Sequence, residues 1–111
     1  AETIKKVSAA FEGVTTKYPG TNEANLSKYM LAAMEMEQGD PAKAEKALRE
    51  LLASDKETAS LAKYTLAEYT AGLGKADEAE KLYRELIASP SLMVPKEQAT
   101  LQLARLIMKT K

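Results

Sequence analysis

The chain has 111 residues, with 16 basic and 16 acidic side chains in balance and neither His nor Cys. One domain with a modest core suits that length, and balanced charge argues against a nucleic-acid partner, which calls for a basic excess on one face. Without His or Cys there is no thiolate nucleophile, no cysteine–histidine zinc site and no ordinary proton shuttle near neutral pH.

Ala, Leu, Glu and Lys dominate, as in helical proteins. No run of about 18 apolar residues offers a membrane span. The residues Ala1-Glu2-Thr3-Ile4-Lys5-Lys6 lead straight into amphipathic pattern rather than into a signal peptide. Helical pattern also runs to the last residues, so we expect a domain of a longer protein.

The first predicted helix carries Ile4, Val7, Phe11, Val14 and Tyr18 on one stripe. Pro19-Gly20-Thr21-Asn22 breaks it, because Pro cannot continue the hydrogen-bond ladder. A second helix is predicted over Glu23–Gln38, with Leu26, Met30, Leu31, Ala33 and Met34 apolar. Gly39 should end it through a positive φ. Asp40 then has the character of an N-cap, with Pro41 at the first helical position.

The third predicted helix uses Ala44, Ala47, Leu48, Leu51 and Leu52. Ser54 and Glu57 have the spacing of a capping box for the fourth, which carries Leu61, Ala62, Tyr64, Leu66 and Tyr69 and closes near Gly72-Leu73-Gly74. The fifth uses Ala79, Leu82, Tyr83, Leu86 and Ile87 and stops before Pro90. After an irregular loop over Ser89–Val94, Pro95 opens a sixth through Ala99, Leu103, Leu106 and Ile107. No segment alternates with period two, so no sheet is predicted. Short connections imply antiparallel neighbours.

One phrase occurs twice, 35 residues apart: Gly39–Ser54 returns as Gly74–Ser89, with nine of sixteen paired positions identical. A period near 34 with Gly between two amphipathic stretches signals stacked helix–turn–helix units. The pattern resembles the tetratricopeptide (TPR) repeat. That family sets a large residue before a small one in the first helix of each repeat, as Leu31-Ala32, Leu66-Ala67 and Leu103-Ala104 do here. Its second helix sets a small residue four before a large one, as in Ala44 with Leu48 and Ala79 with Tyr83. The small residue admits the neighbouring helix and the large one fills the space beside it. Glu35 and Thr70 depart from the pattern, standing where the family often has Tyr; the bulk sits at Met34 and Tyr69 instead.

The resemblance implies an all-α, TPR-like α–α superhelix of six antiparallel helices. Residues 1–111 form one domain, made of partial repeat 1–20, repeats 22–56 and 57–91, and partial repeat 95–111. It further implies a non-catalytic scaffold whose partner is a protein or peptide. In the family's register the groove would show Tyr29, Met30, Ala33 and Met36, then Tyr64, Thr65 and Glu68, then Leu101, Gln102 and Arg105, with Tyr29, Tyr64 and Leu101 in a row. Tyr offers contact area with one polar tip, and Met an adaptable surface. The alternative is that these residues pack internally.

Leu101, Ala104 and Met108 form a second apolar stripe on the last helix, awaiting either a further helix of a longer protein or a second copy in a homodimer. TPR grooves that clamp a terminal carboxylate use Lys and Asn where Tyr29, Met30, Ala33 and Thr65 stand here, so that activity is not expected. Lys17-Tyr18-Pro19-Gly20-Thr21 resembles the divergent repeats of bacterial envelope proteins, among them outer-membrane assembly lipoproteins and the ancillary subunit of the secretion translocon. That likeness implies a periplasmic domain of a membrane-anchored parent.

Three other features read as bland. Glu35, Glu37 and Asp40 cluster near a helix end, but Lys43 and Lys46 beside them suit a solvated surface. Gly72-Leu73-Gly74-Lys75 lacks the spacing of a phosphate loop and reads as a turn. Asn25-Leu26-Ser27 fits a glycosylation pattern but lies within a predicted helix. No cofactor and no metal are expected.

Overall fold

The computed structural model describes Lys6, Ala9, Gly13 and residues 21–110. Residues 21–110 form five helices and no strand: α1 (Asn22–Gln38), α2 (Pro41–Leu51), α3 (Lys56–Gly72), α4 (Ala76–Ala88) and α5 (Lys96–Thr110). The sequence predicts six. The first of these, with repeat fragment 1–20 and most of the stretch 17–21, falls outside the described residues, save for helical backbone at Lys6, Ala9 and Gly13.

Local chemistry starts each helix. Thr21 caps α1, its hydroxyl accepting from the Ala24 amide at 3.1 Å. Asp40 caps α2, one carboxylate oxygen accepting from the Ala42 and Lys43 amides at 3.1 and 3.3 Å with Pro41 in the first turn. The predicted Ser54–Glu57 capping box does not form. Asp55 caps α3 instead, accepting from the Thr58 amide at 3.1 Å and the Thr58 hydroxyl at 2.9 Å. A carboxylate directly before the helix is the stronger acceptor and displaces Ser54. The Ser54 hydroxyl donates back to the Leu51 carbonyl at 2.5 Å.

The two equivalent turns differ. Gly74 has φ +82°, and Lys75 N–H reaches back to the Thr70 carbonyl at 2.9 Å while Gly74 N–H reaches Ala71 at 3.1 Å, a Schellman closure. Gly39 has φ −128°, so the positive φ expected there is absent. The Glu35 side chain closes that turn instead, accepting from the Asp40 amide at 3.2 Å.

The hairpins α1–α2 and α3–α4 stand side by side, α1 against α3 and α2 against α3, and α5 packs on α4. Leu48, Leu66 and Leu86 are the large, fully buried side chains between them. Ala44, Ala62 and Ala79 are buried where helices approach closely. Of the three predicted notches, Ala32 (2% exposed) and Ala67 (0%) are covered by the helix that follows each. Ala104 is exposed, as expected of the uncovered stripe it shares with Leu101 and Met108, because no described helix follows α5. On α5, Leu103 and Leu106 are buried and Ile107 packs half-buried beside the same core.

Candidate functional site

The α1–α3 seam carries a cleft of about 370 Å³. Tyr29, Ala33, Met36 and Glu37 come from α1; Thr65, Glu68 and Tyr69 come from α3. The Tyr29 hydroxyl bonds to the Thr65 hydroxyl at 2.9 Å and ties the two walls together. Tyr29, Ala33, Met36, Thr65 and Glu68 were all expected in one groove, and the fold brings them to this cleft.

A second cleft of about 480 Å³ continues past Glu68 toward α5, where Gln102, Arg105 and Lys109 line it beside Tyr83. Glu68 belongs to both. Helical geometry explains the membership. Residues 29, 33, 36 and 37 step by four, three and one along one face, and residues 102, 105 and 109 step by three and four along another.

Met30 and Leu101 miss both clefts; both are exposed. Each is about 100° round its helix from the lining residue next to it in sequence, Tyr29 or Gln102, and so lies just beyond the edge of the lining stripe. Tyr64 also misses the clefts. It is half-buried, edge-on to Tyr83 at 6.0 Å between ring centres and 73° between planes, and its hydroxyl accepts from the Gln98 amide at 2.8 Å. The expected Tyr29–Tyr64–Leu101 row is therefore replaced by offset bonds, each tyrosine hydroxyl reaching a different position on the next helix of the row.

Two cleft residues escaped prediction. Glu37 reads in sequence as part of a solvated acid cluster, and Tyr69 as core bulk. Their signal was the spacing of Glu37 from Tyr29 and Ala33 (eight and four residues), which puts it on the same stripe.

Charge is distributed unevenly. The seven residues of the α1–α3 cleft include two carboxylates and no cation. Burial, then the nearby Glu37, pushes the Glu68 carboxyl above its usual range. Burial, then Glu68 and Tyr64, raises the Tyr83 phenol to about 12. The helix surfaces away from the cleft hold paired charges instead. Arg49 bridges Glu45 (2.9 Å) and Glu78 (2.6 Å), Lys63 meets Glu85 (3.2 Å) and Arg84 meets Glu80 (2.9 Å).

Two further surfaces are apolar. Leu26, Leu61, Leu92 and Met93 surround a cleft of about 280 Å³ at the N-terminal ends of α1 and α3. The Glu57 carboxylate, free of the capping box, accepts from the Leu92 and Met93 amides at 3.3 and 2.8 Å and pins that loop. It leaves Leu92 89% exposed. On α5, Leu101 (46%), Ala104 and Met108 (80%) are exposed. No group of three His, Cys, Asp or Glu that could hold a metal occurs among the described residues, and no described helix is long and apolar enough to cross a membrane.

Residues 1–89 match the family model described as a tetratricopeptide repeat-like domain. No curated protein and no solved structure matches the chain.

Proposed function

We propose that this chain, which belongs to the tetratricopeptide repeat-like domain family, is a non-catalytic scaffold that seats a peptide or helix of a partner protein in the α1–α3 cleft. One observation carries the reading: five residues chosen for the groove by register, from helices some 35 residues apart, line a single cleft. Tyr29, Tyr69 and Met36 supply ring and thioether surface there, which suits recognition by burial with a few polar anchors.

Random peptides displayed on phage and selected on the immobilised domain test it. Selected peptides should lose about 2 kcal/mol, some 30-fold in affinity, on Tyr29→Ala, with helical circular dichroism unchanged. Peptides that bind Tyr29→Ala as tightly as the native domain would refute the groove. Tyr64→Ala is the poorer probe, because Tyr64 supports Tyr83.

The exposed stripe Leu101, Ala104 and Met108 favours a second reading, a homodimer paired through α5. Sedimentation equilibrium separates the two readings. A monomer at the highest soluble concentration ends the second, and a dimer dispersed by Met108→Lys supports it. A periplasmic, membrane-anchored parent remains the expectation of the likeness at residues 17–21.

A further inference from the structure

We infer that the occupant of the α1–α3 cleft is a peptide bearing a Lys or Arg side chain, seated between Glu37 and Glu68 against the Tyr29 and Tyr69 walls. The inference rests on the groove reading and names the partner's charge.

Its first support is geometric. Glu37 reaches the cleft from α1 and Glu68 from α3, so two like charges face one cavity from opposite walls, with aromatic side chains at Tyr29 and Tyr69 beside them. No cation lines the cleft, and neither carboxylate is among the ion pairs of the described residues. A balanced chain could have answered these charges. Arg49, Lys63 and Arg84 instead serve Glu45, Glu78, Glu80 and Glu85 elsewhere. Both side chains are exposed at the cleft; like charges converging there repel through screening water, and an incoming cation turns that repulsion into attraction. Burial first, and Glu37 second, raise the proton affinity of Glu68. An ammonium or guanidinium would also find the negative ring faces of tyrosine within reach.

The second support is polarity along the surface. Past Glu68 the neighbouring cleft turns basic at Arg105 and Lys109. A bound chain with its cation at Glu37 and Glu68 would run toward α5 with an acidic group over Arg105. Complementary charge of this kind sets orientation and excludes partners of the wrong sign.

The same phage selection, read by sequence, tests the inference. Retained peptides should be enriched in Lys or Arg, and a selected peptide should bind Glu37→Gln/Glu68→Gln about tenfold more weakly, with most of that difference gone at 0.5 M salt. Replacing the peptide's basic residue by Gln should cost the native domain a similar factor and the double variant nothing. Peptides that need Tyr29 yet carry no basic residue would overturn the charge assignment and leave the groove standing. A double variant that binds the selected peptides undiminished would do the same. Recovery of no peptide at all would overturn both.

Discussion

The hairpins α1–α2 and α3–α4 are written in nearly the same words and solved differently. At the first turn Asp40 caps α2 and the Glu35 side chain closes the corner around Gly39. At the second, Lys75 offers no side-chain cap and the backbone closes on itself through Gly74 at positive φ. Burial differs as well. The helix α1 buries Ala24 and Ala32, whereas α3 buries six residues from Thr58 to Thr70. Among the described helices α3 packs against α1, α2 and α4, whereas α1 packs against α2 and α3. Sequence similarity therefore transfers the path of the chain but not the energetics of each turn or face.

The largest test of that comparison is at the core position the hairpins share. Tyr83→Ala should cost about 3–5 kcal/mol and Leu48→Ala about 2–5 kcal/mol in urea unfolding, since both side chains are buried. A loss below 1 kcal/mol at either site would mean that the hairpins do not lean on each other there.

The turns come next. Gly74→Ala forces a side chain into the left-handed region and should cost more than about 1 kcal/mol. Gly39→Ala needs no positive φ and should cost less, its penalty coming from displacing the Glu35 carboxylate that closes the corner, 2.5 Å from the new Cβ. Equal penalties would show the two corners to be alike after all.

The caps give a smaller effect of opposite sign. Asp40→Ala should lose about 1 kcal/mol, and Lys75→Asp, which adds the missing cap, should gain about 0.5–1 kcal/mol. Thermal melts of the two variants should move in opposite directions.

Smallest is Glu68→Gln. Glu68 holds a raised pKa in the fold, so its contribution is present below the unfolded value and lost as pH rises through the folded one. At neutral pH the variant should equal the native protein or exceed it by less than about 0.5 kcal/mol, with the difference vanishing in acid. Asp55 has the opposite sign. Burial pushes its carboxyl up, but bonds from the Thr58 amide, the Asn25 side chain and the Thr58 hydroxyl outweigh that and hold it below its usual value. Its stabilisation is full above the unfolded pKa and disappears as pH falls through the folded one. A variant at Glu68 that weakened the fold at neutral pH would contradict this account.

Much of the candidate cleft was legible in the chain. The repeat register placed Tyr29, Ala33, Met36, Thr65 and Glu68 together, because spacing along a helix is a local property. The errors were also local in kind. Asp55 took the cap assigned to Ser54, one residue away, because capping is decided by which oxygen reaches the first amides. Met30 was expected in the groove and lies outside the cleft, because a stripe read from sequence has no marker for which edge a neighbour covers. Nothing local in residues 89–95 announces that Glu57 would pin Leu92 outward.

By itself the sequence determined helices, their corners at Gly39 and Gly74, and which alanines could admit a neighbour, since propensity, turn chemistry and volume belong to each residue. Only the tertiary structure decided which of those alanines are used and where charge goes unanswered. Ala67 and Ala104 are the same residue at the same repeat position, yet one is enclosed and the other bare. Glu37 and Glu68 repel only because two helices far apart in the chain are laid side by side. Burial and electrostatic environment are supplied by neighbours in space.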